Sequence, residues 1–310
     1  IFLNLFNPVE GPPRPDLSNL TPFPPVNTAT DQYGIFLQDQ ITFGEQFILV
    51  ASLRYDTVSL RNLTTPAQNR NNAAWSPRIG LVYQPIETIA LYANYSQSFR
   101  PNTGTSATGE TFEPEQGEGF EVGVKAELLG GNLLATLAYF DITKQNVLTT
   151  DPNNLFASVA TGEQRSQGIE LDIVGQILPG WNIIANYAYT DARITEDNTN
   201  PVGNRLFNSP RHSAGLWTTY QIQQGDLQGL GFGLGFNYVG NRAGDLANTF
   251  EADGYFLTNA ALFYERKDWR FGLNINNLFD ANYISSTGSR TLGNAPGAPL
   301  SVVGSVSVQF

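Results

Sequence analysis

Residues 227 to 241, LQGLGFGLGFNYVGN, alternate between large apolar side chains and almost no side chain at all. The large set is Leu230, Phe232, Leu234, Phe236 and Tyr238, and the set between them is Gly229, Gly231, Gly233, Gly235 and Asn237. A period of two is that of a β-strand, whose successive side chains point to opposite faces. Glycine weakens strand interiors, and a soluble two-sided sheet would carry polar groups on its outer face. Two structures therefore fit this segment: a strand whose apolar face meets lipid, or a glycine-rich strand buried in a soluble protein.

The same alternation recurs along the chain, as in WRFGLNINN at 269–277, GIELDIV at 168–174 and WNIIANYAYT at 181–190. No helical period of comparable strength is present. We predict an all-β fold with thirteen strands, at 33–42, 47–56, 75–84, 88–98, 116–128, 132–145, 165–175, 180–192, 209–221, 228–240, 254–265, 269–279 and 300–310.

The connections between these strands favour the membrane alternative, because short and long ones alternate. The short ones include 43–46, 129–131, 178–180 and 266–268, and the long ones are 57–74, 99–115, 146–164, 193–208, 241–253 and 280–299. Bacterial outer-membrane barrels have short turns on one side and long loops on the other. Five aromatic residues also fall near strand ends, where an interfacial girdle is expected: Tyr95, Tyr187, Tyr189, Tyr238 and Trp269. The pattern predicts a transmembrane antiparallel β-barrel with Phe232 and Leu234 facing lipid and the glycines, from Gly229 to Gly235, on the concave side.

Composition removes several other classes of protein. The chain has no cysteine and a single histidine, which excludes disulfides and thiolate metal sites and argues against zinc. Its net charge of -11 is the opposite of the basic footprint expected for nucleic-acid binding. No apolar run reaches the roughly 18 residues that indicate a membrane helix.

The strand count carries a further expectation. Thirteen antiparallel strands cannot close into a barrel without one parallel pair, and the chain starts at Ile1 rather than at a methionine. We therefore expect this chain to be a portion of a longer barrel, with strands that precede it, and to form an open sheet by itself.

Six segments, in this order and spacing, resemble the C-terminal half of TonB-dependent siderophore receptors. They are YGIFLQDQITF at 33–43, WSPRIGLVYQPIETIALYANYSQSFRP at 75–101, FEPEQGEGFEVGVKAEL at 112–128, RSQGIELDIVGQILPGWNIIANYAYTDARI at 165–194, NSPRHSAGLWTTY at 208–220 and NINNLFDANY at 274–283. The resemblance implies a barrel of about 22 strands with a plugged lumen. Residues 33–310 would supply its C-terminal part, and residues 1–32 an extracellular loop region or the remnant of a preceding strand. The plug would lie outside this sequence, and its packing against the inner wall would give one reason for the glycines.

The resemblance also implies a function: uptake of a ferric siderophore across the outer membrane, driven through TonB, with outer-membrane lipid as the surroundings. The iron would arrive already chelated, so neither a protein metal site nor a cofactor is expected. Aromatic side chains would grip the chelator and arginine would pair with its negative charge. The candidate ligand-binding residues are Phe99, Arg100, Phe112, Tyr283 and Arg290, for which packing within loops or a membrane girdle is the simpler alternative. Asn277 and Asp280 are expected to satisfy backbone groups at a strand end.

Other functions stay open at this point. A passive porin-like channel would have the same strand pattern, and a receptor of this family could instead carry cobalamin or another scarce nutrient. An outer-membrane enzyme is disfavoured. His212 and Ser213 are neighbours in a strand and so point to opposite faces. Glu170 and Asp172, which lie two apart on one side, are expected to be solvated or paired with the plug.

Overall fold

The computed structural model describes residues 27–64, 69–102, 106–108, 110–288 and 293–309, and the regular structure in them is β-strand. Among the described residues, no helix has the length and apolar character needed to cross a bilayer. The strands are β1 (Thr28–Phe43), β2 (Phe47–Asn62), β3 (Arg70–Ile86), β4 (Ile89–Arg100), β5 (Glu115–Leu128), β6 (Leu133–Asp151), β7 (Asn154–Leu178), β8 (Trp181–Glu196), β9 (His212–Gln221), β10 (Leu230–Val239), β11 (Arg242–Ala243), β12 (Glu251–Ala252), β13 (Tyr255–Arg266), β14 (Trp269–Asn276), β15 (Ile284–Ser286), β16 (Ala295–Pro296) and β17 (Ser301–Val308).

One 13-stranded sheet contains all the long strands, in the order β1-β2-β3-β4-β5-β6-β7-β8-β9-β10-β13-β14-β17. Every neighbouring pair is antiparallel. The predicted strand number and direction are therefore confirmed. Within the described residues, β1 pairs only with β2 and β17 only with β14, so the sheet is open, as expected. β1 starts at Thr28, inside the segment predicted as loop or strand remnant, and residues 1–26 lie outside the described part.

The register gives the sheet two chemically different faces. One row of directly paired residues crosses eleven strands and consists of Phe43, Phe47, Tyr83, Leu91, Val124, Leu137, Leu171, Tyr187, Ala214, Tyr238 and Phe256. The row beside it, on the opposite face, contains Lys125, Thr136, Asp172, Asn186, Gly215 and Asn237. We call these the apolar face and the polar face. Because most of the large side chains of the apolar row are exposed, this face is the one that meets lipid.

Strand β10 has the predicted orientation. Phe232 and Leu234 are each 54% exposed on the apolar face, and Gly231, Gly233 and Gly235 are buried on the polar face. Gly229 is an exception, because it lies in the turn before β10 with a φ of +92°, a conformation that favours glycine.

The buried glycines of β10 leave room for aromatic rings of neighbouring strands. A Cβ at Gly231 would overlap the Phe263 ring, and one at Gly233 would lie 2.7 Å from Cζ2 of Trp217. Phe263 and Trp217 are the register partners of Gly231 and Gly235 on β13 and β9. The rings thus cover bare backbone, an arrangement in which a large ring compensates for the missing glycine side chain.

The long connections all lie at one end of the sheet, which we call the loop end, but two predicted loops are largely strand. The predicted loop 57–74 contains the ends of β2 and β3, and the predicted loop 146–164 contains a hairpin whose turn is only residues 152–153. These extensions carry polar groups where the apolar face would continue, as in the bond between Ser59 Oγ and Asn71 Oδ1 at 2.7 Å, and Val58 and Leu60 lie on the opposite face of β2. Strand pairing continues there although the row of apolar side chains on one face does not, which is why periodicity ended these strands too early.

Candidate functional site

The predicted ligand residues occupy two separate regions of the loop end. Phe99 and Arg100 are the last residues of β4, and Phe112 lies in the connection to β5. Tyr283 precedes β15, after β14 on the far side of the sheet order. Arg290 lies outside the described residues. Phe99 and Arg100 are consecutive residues of β4, so their side chains point to opposite faces, Phe99 to the apolar face and Arg100 to the polar face, and both lie far along the sheet order from Tyr283.

The region around Phe99 is braced by a buried asparagine. Phe99 lines a cavity of about 270 Å³ together with Trp75 of β3. Asn102, only 4% exposed, donates from Nδ2 to Glu113 O at 2.6 Å and to Asn146 O at 3.0 Å. Arg70 Nη1 donates to Asn102 O at 2.7 Å. These bonds tie the start of β3, the β4–β5 connection and the β6–β7 hairpin to one another.

Tyr283 lines a larger cavity of about 410 Å³ between two connections, β10–β13 and β14–β17. Its wall consists of Phe250, Glu251, Ala252, Asp253, Gly254, Asn282, Tyr283, Ile284, Thr287 and Asn294. The Tyr283 ring packs against the Tyr255 ring with centroids 4.4 Å apart, and a Cβ on Gly297 would overlap it. An aromatic face held rigidly beside a cavity of this size is suited to an apolar or conjugated part of a small molecule.

The segment NLFDANY acts as a strand end, as predicted. Asn277 Oδ1 accepts from Ala281 N at 2.8 Å, and its Nδ2 donates to Ala281 O and Ala298 O at 3.0 and 3.1 Å. Asp280 Oδ1 accepts from Leu300 N at 2.9 Å. Both residues have positive φ, 51° and 50°, which asparagine and aspartate tolerate better than other side chains. They therefore shape the base of the connection that carries Tyr283.

Two residues that sequence reasoning missed lie next to this cavity. Arg242 is 2% exposed, and its guanidinium donates to Ile284 O and lies 5.4 Å from the Tyr255 ring centroid. Asn208, in the β8–β9 connection, bonds through its carboxamide to Thr287. Neither sits in a periodic segment, so no pattern marks it. The Asn-Ser-Pro sequence at 208–210 indicates a turn, and Asn208 has a positive φ of 58° there, but a turn signal does not reveal its distant partner.

The polar face also carries charged groups that line neither the cavity beside Tyr283 nor the cavity beside Phe99. Tyr92 Oη donates to Glu121 Oε1 at 2.6 Å, and Lys125 Nζ lies 5.3 Å from the Tyr92 ring centroid. Glu170 and Asp172 are both exposed on this face, as expected. These groups make the polar face hydrophilic and mainly acidic.

His212 lies on the apolar face at the loop end of β9. Its Nδ1 is 2.9 Å from Tyr187 Oη, and its ring centroid is 5.2 Å from that of Tyr189. The register pairs His212 with Tyr189 and Ser213 with Ala188, so His212 and Ser213 point to opposite faces, as predicted. The histidine is thus part of the aromatic girdle.

Comparison with known proteins gives the family. Residues 3–278 match the model of the family described as TonB dependent receptor-like, beta-barrel. The chain is 37% identical over 99% of its length to the metal-pseudopaline receptor of Pseudomonas aeruginosa, and 32% identical over 100% to the ferrichrome outer membrane transporter/phage receptor of Escherichia coli. It spans 44% and 42% of these relatives.

A solved structure agrees with the sequence relatives. The siderophore receptor PiuA of Acinetobacter baumannii superimposes with a TM-score of 0.80 at 27% identity, over 91% of this chain and 44% of that one. Together with the two-faced antiparallel sheet, these matches place the strands in an outer membrane. The chain belongs to the TonB-dependent receptor family and forms part of its outer-membrane β-barrel.

Proposed function

We propose that the protein serves in the uptake of a ferric siderophore across the outer membrane, driven through TonB. The observation that carries this proposal is the aromatic cavity at the loop end, where Tyr283 is fixed against Tyr255 at 4.4 Å. The loop end is the side from which a ligand reaches a receptor of this architecture. Relatives of this chain are named for metal-pseudopaline, ferrichrome and ferrioxamine B. These names support the same class of ligand, since each ligand is a metal held in an organic chelator.

Chelation before arrival fits the chemistry of this cavity. A chelated ion already has its ligands, so recognition falls to rings that contact the chelator and to charged groups at the rim. Tyr283 supplies such a ring, and Glu251 and Asp253 supply carboxylates at the wall. Phe99, Arg100 and Phe112 are the second group of candidate residues, in which the exposed Arg100, on the polar face, is the partner for negative charge on the chelate, whereas Phe99 lines its own cavity beside Trp75 on the opposite face.

A second candidate is a chelate of a metal other than iron, which the 37% identity to the metal-pseudopaline receptor favours. Strains with and without this receptor, each with and without functional TonB, separate these possibilities. We expect the strain without the receptor to lose TonB-dependent uptake of radioactive iron from ferrichrome or ferrioxamine B. Receptor-dependent uptake of a metal other than iron from its pseudopaline chelate, without iron uptake, would support the second candidate instead. Uptake that continues without TonB would indicate a passive channel and contradict both.

Tyr283→Ala should weaken binding of the transported chelate about tenfold, which corresponds to roughly 1.4 kcal/mol. The reason is loss of the ring that lines the cavity, and Tyr283→Phe should keep most of the affinity because the ring remains. Quenching of intrinsic fluorescence in the purified receptor measures the dissociation constant. Tyr238→Ala is the matched control, because Tyr238 is a half-exposed tyrosine on the apolar face. An equal loss in both variants would remove Tyr283 from the site.

A further inference from the structure

Three connections at the loop end are bonded to one another by side chains. We call them loop 8–9 (197–211), loop 10–13 (240–254, with β11 and β12) and loop 14–17 (277–288 and 293–300, with β15 and β16). Loops 10–13 and 14–17 line the cavity beside Tyr283, whereas the lining residues include none from loop 8–9. Loop 8–9 nevertheless contacts both of the others.

Asn208 joins all three loops. Its backbone N donates to Ala243 O of loop 10–13 at 3.0 Å. Its side-chain Nδ2 donates to Thr287 O of loop 14–17 at 2.7 Å, and its Oδ1 accepts from Thr287 N and Oγ1 at 2.8 and 2.9 Å. Thr287 is 5% exposed, so these bonds are sheltered from competing water. One carboxamide therefore fixes a backbone unit 79 residues away.

A second contact holds loop 8–9 to loop 10–13. Asn248 Oδ1 accepts from Arg205 N, and its Nδ2 donates to Arg205 O, both at 2.9 Å. The Arg205 guanidinium reaches Glu251 Oε1 at 3.0 Å and Asn241 O at 2.9 Å. Asn204 Nδ2 adds a bond to Leu246 O at 2.9 Å. The two loops are thus joined along their length and not at a single point.

Arg242 completes the arrangement from loop 10–13. Its buried guanidinium donates to Ile284 O, the residue after Tyr283, and lies over the Tyr255 ring on which Tyr283 packs. Loop 14–17 is therefore anchored at residues 284 and 287, just beyond the cavity ring. Within the part of the chain that the structure describes, no carboxylate pairs with this buried guanidinium, and burial of an unpaired charge is unfavourable by itself. At Arg242, it fixes a carbonyl and a ring at the wall of the cavity.

We propose that Asn208 and Arg242 are positioning residues that lock loops 8–9, 10–13 and 14–17 into one block and thereby hold Tyr283 at the cavity. Asn208 acts without touching the cavity, through Thr287. The role in ligand binding rests on the proposed function, whereas the locked block does not. The loops around Phe99 have their own brace at Asn102 and Asn146, and they meet loop 8–9 at Asn198, ten residues before Asn208, where Asn198 Nδ2 donates to Thr149 Oγ1 and Thr161 Oγ1 at 3.0 and 2.7 Å.

Amide hydrogen exchange in the purified receptor tests the block directly. Asn208→Gly removes the carboxamide and keeps the left-handed φ of 58° accessible, so backbone strain is not introduced. We expect at least tenfold faster exchange at residues 282–288, in a loop remote in sequence. Asn146→Gly is the control, since Asn146 has a φ of 56° and donates to Pro114 O at 2.9 Å outside the block. It should leave residues 282–288 unchanged. Unchanged exchange there in Asn208→Gly, or equal acceleration in both variants, would overturn the proposal.

A double-mutant cycle on chelate binding tests the positioning role. With ferrichrome, ferrioxamine B and metal-pseudopaline as probes, Asn208→Gly should weaken binding of the recognised chelate roughly threefold to tenfold. In the Tyr283→Ala background the same change should have almost no further effect, because the ring it positions is gone. Additive losses would overturn the positioning role even if the loops are locked. Failure of all three probes to bind the unaltered receptor would count against the proposed function, and the exchange result would still decide whether the block exists.

Discussion

Leu234→Lys is expected to lower the free energy of unfolding in lipid by about 2–4 kcal/mol, the cost of a lysine near the midplane on the lipid face of a barrel. Leu234 is in the middle of β10 and 54% exposed on the apolar face, between its register partners Thr218 and Ala260. Neither neighbour offers a negative charge to the ammonium group. The lysine must hold its charge in hydrocarbon or bend toward an interface.

Asn274→Lys is the control for this prediction. Asn274 is exposed on the polar face of β14, and it is joined to Gly233 through Ala261 in the register. Water solvates a lysine there, so we expect a change within about 0.5 kcal/mol. Gly233→Lys would be a poorer control, because the Trp217 ring already lies over Gly233. Reversible urea unfolding in phospholipid vesicles measures both variants, and equal destabilisation would show that the two faces are wrongly assigned.

Gly235→Ala is expected to destabilise the receptor by about 1–3 kcal/mol, as overpacking of a filled site does. A Cβ at Gly235 would overlap the carbonyl oxygen of Leu216, which belongs to the paired strand β9 and cannot rotate away. It would also meet the Trp217 ring. The backbone of the sheet must therefore shift at this pair of strands, and the Trp217 ring must also move away from Gly235.

Two other glycine variants, measured in the same unfolding assay, are expected to be milder than Gly235→Ala. Gly80→Ala should be neutral or slightly stabilising, by up to about 0.4–1 kcal/mol, because its nearest neighbours lie at an ordinary 3.8 Å. Gly231→Ala should fall between the two, since its closest conflict is with the end of the Phe263 ring, which can rotate. Equal effects in all three would mean that the rings and the Leu216 carbonyl do not constrain the glycines.

The strand pattern of the barrel wall was readable from the sequence. Each residue of a strand points opposite to the one before it, and a lipid face tolerates only apolar side chains in a row, as in Leu230, Phe232 and Leu234. The alternation of short and long connections then indicated at which end of the sheet each strand begins. In residues 57–62 of β2, the apolar side chains Val58 and Leu60 lie on the face opposite to the apolar face of the wall, so the apolar row is interrupted and the sequence no longer shows that the strand continues.

The sequence predicted only part of the candidate site. Tyr283 was identified as a ring in a long loop, but its cavity, its contact with Tyr255 and its separation from Phe99 came from the structure. Arg290, also predicted to bind ligand, stays a prediction outside the described residues. Arg242 and Asn208 had no sequence signature, because loop residues follow no period and their roles depend on partners such as Thr287, 79 residues away. Local chemistry determined the faces of the wall, because side-chain direction in a strand is set by the residue's own position. Only the tertiary structure decided which loops meet, because hydrogen bonds between distant segments depend on where the whole sheet places their ends.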